Sequence, residues 1–157
     1  MIGGHTVELL LHIGTGKTGT TSIQDFLGGH EAELDAQGIY LPRYGQQATP
    51  GRCAHHRVAC SLKRQYPKHT KPRDTIEGYL AKQREEASDH SRLTLLSSEF
   101  FSGISTKRLC RLRDAARQHY DNVRIIVYLR RQDTYVESSF NQSVRGGDII
   151  TFDESIE

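Results

Sequence analysis

Apolar residues run almost without interruption over residues 7–13, the pattern of a parallel strand covered on both faces. The period then changes. Ile23, Phe26 and Leu27 share one face of a helix expected from about Thr21, with a break at Gly28-Gly29. A second, short helix over residues 31–37 should end at Gly38, a natural C′ residue, before a short strand, Ile39-Tyr40-Leu41, stopped by Pro42. Residues 53–65 fit a helix with Ala54, Val58 and Leu62 on one face and Cys53, His56 and Cys60 on the other. A further helix is expected over 73–87, with Ile76, Tyr79 and Leu80 inward. Residues 93–97 read as a strand. Ser105 is placed to cap a helix running to Tyr120, with Leu109, Leu112 and Ala116 inward. Residues 123–129 form the clearest strand after the first, and a helix opens at Asp133 with Tyr135, Val136, Phe140 and Val144 on it, ending before Gly146-Gly147.

Strands alternating with helices imply an α/β fold: a three-layer αβα arrangement around a parallel sheet. Ligands of such sheets bind beyond the carboxyl ends of the strands. The stretch 14–20, Glu99 and Arg130 all fall at such ends, so three separate stretches are expected to meet at one cleft.

Composition narrows this picture. The 157 residues are enough for a single domain, and with 25% charged and 36% apolar residues a soluble globular chain is expected. The net charge of +2 argues neither for nor against nucleic acid, and none is expected as a partner. No apolar run approaches membrane-spanning length. Residues 1–14 lack the basic start and small-residue cleavage site of a signal peptide. The odd count of Cys53, Cys60 and Cys110 favours a reducing, cytoplasmic setting. Cys53, His56 and Cys60 show no fourth ligand at zinc spacing, so no metal site is expected. Basic residues crowd residues 63–73, where a solvated loop is the plain reading and a patch facing an anionic acceptor or cofactor the functional one.

The chemistry concentrates after the first strand, in Gly14-Thr15-Gly16-Lys17-Thr18-Gly19-Thr20-Thr21-Ser22. Glycines let the backbone curl and approach a ligand closely. The helix start offers unpaired N–H groups, Lys17 a full charge, and Thr18, Thr20, Thr21 and Ser22 hydroxyl donors. Gly16-Lys17-Thr18 has the end of a Walker A motif, but the glycine required five residues before Gly16 is replaced by Leu11. A shorter loop suits one phosphate with another group beyond it. The second informative stretch is Arg130 at a strand end with Ser138 eight residues on, early in the following helix. A guanidinium and a hydroxyl there could hold a second phosphate.

Together these stretches resemble the sulfotransferases that use 3′-phosphoadenosine 5′-phosphosulfate (PAPS). Lys17-Thr18-Gly19-Thr20-Thr21 is similar to that family's 5′-phosphosulfate loop, with Gly16 where a proline is usual. Arg130 and Ser138 are similar to its 3′-phosphate motif, and residues 95–101 to its third strand and acidic residue. The loop form is closest to carbohydrate-type and bacterial members. The resemblance covers residues 7–41 and 93–147 and implies a P-loop nucleoside-triphosphate-hydrolase-like fold. It implies cofactor binding by Gly16, Lys17, Thr18, Gly19, Thr20, Thr21, Arg130 and Ser138, catalysis by Lys17 and Glu99, and no metal. PAPS would be the co-substrate, adenosine 3′,5′-bisphosphate the product, and a small molecule or glycan the acceptor. His55 and His56 are rival bases to Glu99, and His12 is expected to be structural. Residues 1–157 would be one such domain lacking its C-terminal part, with a new helix starting near residue 151. Two other readings stand beside this one: a magnesium-dependent P-loop kinase or NTPase, and a non-catalytic module that binds a phosphorylated nucleotide or polyanion through its basic residues.

Overall fold

A computed structural model describes residues 6–47, 51–149 and 151–153. Four parallel strands form one sheet: β1 (Glu8–His12), β2 (Ile39–Tyr40), β3 (Leu93–Ser97) and β4 (Asn122–Ile126), in the order β2-β3-β1-β4. Leu9 lies beside Thr94 and Val123, and Leu11 beside Leu96 and Ile125. Because all strands run the same way, the loops after β1, β3 and β4 leave the same edge of the sheet.

Six helices lie between and after the strands: α1 (Thr20–Gly29), α2 (Glu31–Ala36), α3 (His56–Cys60), α4 (Ile76–Glu86), α5 (Thr106–Ala116) and α6 (Gln132–Gly146). On one face of the sheet Leu9, Leu11 and Leu96 pack with Val58 and Ala59 of α3, Ile76, Tyr79 and Leu80 of α4, and Leu112, Ala115 and Ala116 of α5. Leu95 points to the other face, where Leu27, Ile23 and Leu34 of α1 and α2 meet Leu41 and Cys53. Helices on both sides of a parallel sheet make the αβα layering expected from the alternating pattern.

Local signals explain most boundaries. Thr75 caps α4, its side chain accepting from the Gly78 N–H at 3.2 Å. Gly38 follows α2 at φ 79°, where a Cβ would stand 3.1 Å from the His90 carbonyl oxygen, so glycine serves both the turn and the approach to the start of β3. Gly147 closes α6 at φ 98°.

Five expectations need correction. The helix read over 53–65 shrinks to α3, because residues before it are held extended: Cys53 N–H bonds to the Gln24 carbonyl and Gln47 N–H to the Ala54 carbonyl. Both faces of that short helix are largely buried, Cys60 as fully as Val58, with Arg57 half-buried between them. Phe26 is 58% exposed and stacks on His30 rather than joining Leu27 inward. Leu109 is 44% exposed, because half-buried Arg108 rather than Leu109 continues the stripe of Leu112, Ala115 and Ala116. Ser105 stands at the N-cap of α5 without a side-chain capping bond. The last strand also ends early, at Ile126, and all five of its residues are exposed. The helix expected to start near 151 lies mostly outside the described residues. Among the described residues no helix is long and apolar enough to cross a membrane.

Candidate functional site

The loop from β1 to α1 is braced by its own threonines. Thr18 Oγ1 donates to the Thr15 carbonyl at 2.7 Å and Thr20 Oγ1 to the same oxygen at 3.1 Å. Two of the four hydroxyls expected to meet a ligand are thus spent on shaping the loop. Lys17 takes φ 64°, a left-handed conformation that costs a non-glycine residue about 1 kcal/mol or more. Gly19 follows at φ 83° as the N-cap of α1 and offers no side-chain cap. The first bond of α1 runs from Ile23 N–H to the Gly19 carbonyl, which leaves the N–H groups of Thr20, Thr21 and Ser22 without intrahelical acceptors.

Two cavities meet at Lys17. The larger, about 900 Å³, is lined by Gly16, Lys17, Gly19, Thr20 and Thr21, with Glu99 opposite. Tyr135, Ser139 and Gln142 of α6 form its far wall. The smaller, about 400 Å³, is lined by Lys17, Arg130, Ser138, Asn141 and Arg145, with one carboxylate, Glu137. Every residue assigned a role from the sequence therefore lines one or both cavities, except Thr18, which lines neither. Ser22 faces away, into an apolar groove beside Phe26 and Tyr128. Arg130 Nη1 donates to the Lys17 carbonyl at 3.2 Å and Nε to Thr134 Oγ1 at 3.2 Å, so it already touches the loop.

Glu99 opens a 3-10 turn, Glu99–Phe101, directly after β3. Gly14 lets this turn approach, since a Cβ on Gly14 would lie 2.9 Å from both Cα and Cβ of Glu99. Gln24 Nε2 donates to Glu99 Oε2 at 3.3 Å, and His56 Nε2 stands 3.8 Å from Oε1. Ser98 Oγ accepts the Phe100 N–H at 3.1 Å and lies 2.8 Å from His56 Nδ1. The Ser98 proton can then go to Nδ1, which puts the His56 proton on Nε2, facing Glu99. Burial lowers the proton affinity of His56, and the nearby Glu99 works against that.

The other histidines are committed elsewhere. His55 is fully buried, with Ser97 N–H donating to Nδ1 at 3.1 Å and Nε2 donating to the Pro42 carbonyl at 2.8 Å. Both nitrogens are used, and burial drives its pKa down to about 4. His55 is therefore a neutral strut between β3 and the chain after β2, and not a base. His12 is buried in β1, its Nδ1 2.8 Å from Ser97 Oγ. Cys53 is buried, which pushes its thiol up to about 12, and Cys60 bonds to Thr70. The Cys53, His56 and Cys60 set thus has separate partners, and among the described residues no group of three or more His, Cys, Asp or Glu side chains could hold a metal.

Sequence reasoning missed Gln24, Ser98 and Arg145. Gln24 lies one helical turn beyond Thr20, and Arg145 lies two turns beyond Ser138, so helical spacing from residues already singled out would have found both. Ser98 carried no signal apart from its place beside Glu99.

No family model, no curated protein and no solved structure matches the chain. The geometry at the sheet edge carries the functional reading.

Proposed function

We propose that this chain is a PAPS-dependent sulfotransferase, moving a sulfuryl group to a hydroxyl or amine of a small-molecule or glycan acceptor. The observation that carries the reading is Lys17 standing between two cavities, one with Glu99 and an open helix start, and Asp148 beyond α6, the other with a pair of arginines and a serine. One phosphate at each side of a lysine is the demand of a nucleotide phosphorylated at both 3′ and 5′ positions. The donor set fits such a ligand. Among the described residues Arg145 has no carboxylate partner, Arg130 bonds to a carbonyl and a hydroxyl, and the first N–H groups of α1 have no intrahelical acceptor. Glu137 is the one anion in the smaller cavity, so the 3′-phosphate belongs on its Arg130 side.

In this reading Arg130 and Ser138 hold the 3′-phosphate, and Gly16, Gly19, Thr20 and Thr21 hold the 5′-phosphate by backbone N–H groups. Thr18 shapes the loop through Thr15. Lys17 offsets the charge that gathers on the bridging oxygen as the bond from sulfur to the 5′-phosphate breaks. Glu99 takes the proton that the acceptor oxygen or nitrogen loses as it bonds to sulfur. Gln24 and His56 aim that carboxylate. The P-loop-like character of the fold belongs to the same proposal, as does a cytoplasmic setting that keeps Cys53, Cys60 and Cys110 as free thiols.

Thermal-shift titration tests it. Adenosine 3′,5′-bisphosphate without magnesium should stabilise the chain more than ATP with magnesium does. The reverse order would return the kinase or NTPase reading. Transfer of radiolabelled sulfate from PAPS to a panel of acceptors then separates an enzyme from a module that only binds.

A further inference from the structure

The acidic and basic residues of this chain are segregated. Residues 36–73 hold eight Lys and Arg and no Asp or Glu, which leaves thirteen basic against nineteen acidic residues elsewhere. Within that segment Arg43 and Arg52 pair with Glu31 and Asp25 of α2 and α1. Lys63, Arg64, Lys68, Lys71 and Arg73 have no ion pair among the described residues, and all but Lys63 are exposed.

These charges sit on a pinned backbone. A 3-10 turn, Lys68–Thr70, follows Pro67, and Thr70 is fully buried, its hydroxyl donating to the Pro67 carbonyl at 2.8 Å and accepting from Cys60 Sγ at 3.4 Å. Arg73 N–H donates to the Tyr79 hydroxyl at 2.7 Å. The segment is a ledge whose backbone is tied to α3 and α4, so its side chains project from anchored positions. The ledge also reaches the larger cavity. Lys63 Nζ lies 5.4 Å from the centre of the Phe100 ring, which stacks on His56 at 4.6 Å and lines that cavity beside Glu99. His69 is near enough to His56 to lower its proton affinity.

We infer that the ledge from Lys63 to Arg73 binds an acidic oligosaccharide and delivers one of its hydroxyls to the cavity at Glu99. A cavity walled by Thr20, Thr21, Ser139, Gln142 and Ser143 suits a ring with many hydroxyls, since each can find a donor or acceptor there. Exposed ammonium and guanidinium groups without an ion pair among the described residues, on the ledge that meets this cavity through Lys63 and Phe100, suit carboxylates or sulfates further along the same molecule. Exposed Tyr66, set among these charges, offers a flat apolar surface to a sugar face. Naming this sugar as the acceptor rests on the sulfuryl-transfer reading.

The test uses the full chain and fluorescence anisotropy. The probes are a labelled octasaccharide of alternating uronic acid and N-acetylhexosamine, its carboxyl-reduced neutral form, and single-stranded RNA at the same salt. The acidic sugar should bind about tenfold tighter than the reduced one, and Lys68→Ser with Lys71→Ser should remove roughly that factor. Lys107→Ser on α5 should change nothing. Equal binding of the reduced sugar, tighter binding of RNA, or an unchanged double variant would overturn the inference. Adenosine 3′,5′-bisphosphate binding is measured beside it. Loss of sugar binding with nucleotide binding intact overturns the ledge alone. Sugar binding by a chain with no affinity for the nucleotide supports the ledge and overturns its role as an acceptor site.

Discussion

At the scale of single residues, the site on the proposed reading divides into groups that would touch the ligand and groups that would aim them. Arg130 belongs to the first. Arg130→Ala should weaken adenosine 3′,5′-bisphosphate by about 1.5–3 kcal/mol, the size of a charged hydrogen bond, and leave adenosine 5′-phosphate nearly untouched. Arg145→Ala should act in the same direction by about 0.5–1 kcal/mol, because it is exposed. Calorimetry with both nucleotides checks this, and equal losses for the two would remove the 3′-phosphate assignment. Glu99→Gln keeps the shape and removes the base, so transfer should fall by roughly 10²-fold or more with cofactor affinity little changed. His56→Gln should lower turnover less than Glu99→Gln and leave the pH profile in place, since in the proposed reading His56 acts through Glu99, 3.8 Å away. A larger loss for His56→Gln would make His56 the base.

At the scale of elements, the site depends on how β1 and β3 end. Gly14→Ala adds a methyl group 2.9 Å from Glu99 at φ 87°, so Glu99 must move or the loop must strain. The variant should stay folded, lose about 1–3 kcal/mol of stability, and lose turnover disproportionately. Denaturant melts beside transfer assays would show it, and an unchanged turnover would mean that the approach of the two strand ends is not needed. His55 ties the same region together from below. Its folded pKa of about 4 lies under the unfolded value of 6.5, so the unfolded chain binds the extra proton first. The stability it contributes is complete above pH 6.5 and is lost as pH falls toward 4, by up to on the order of 3 kcal/mol. A His55→Ala chain should be less stable throughout and lack that slope in urea titrations.

These elements also show what the sequence makes legible. Strand β3 and the inward face of α4 follow from local period and capping, because each is decided by neighbours in the chain. The loop at Lys17, Glu99 and the arginine at the end of β4 were legible as three strand ends, since a parallel sheet brings such ends together by rule. Phe26, Leu109 and α3 were not, because their burial depends on which helix crosses which strand. His55 looks like an ordinary polar residue until Ser97 and Pro42 arrive from distant parts of the chain.

At the scale of the whole molecule, the two edges of the sheet differ. Strand β4 is the last strand of the order, and Val123, Ile125 and Ile126 are between 37% and 60% exposed. Val127, Tyr128 and Leu129 continue that apolar surface, and α6 beyond it buries no residue. An exposed strand edge with apolar side chains on both faces is a template for association. The chain should therefore show a rising apparent mass with concentration in sedimentation experiments. Ile125→Lys should shift it toward the monomer with little effect on stability. A mass that stays monomeric across concentration would show that β4 and α6 are adequately covered.

The bond from Arg130 to the Lys17 carbonyl spans 113 residues of sequence and joins the two cavities. On the proposed reading its consequence is communication. A 3′-phosphate that drew Arg130 away would release that carbonyl, and the loop proposed to hold the other phosphate would change its own restraint. Thermodynamic reciprocity then requires the effect to run both ways. The two halves of the nucleotide, offered as separate fragments, should not bind independently: each should alter the affinity of the other by the same factor.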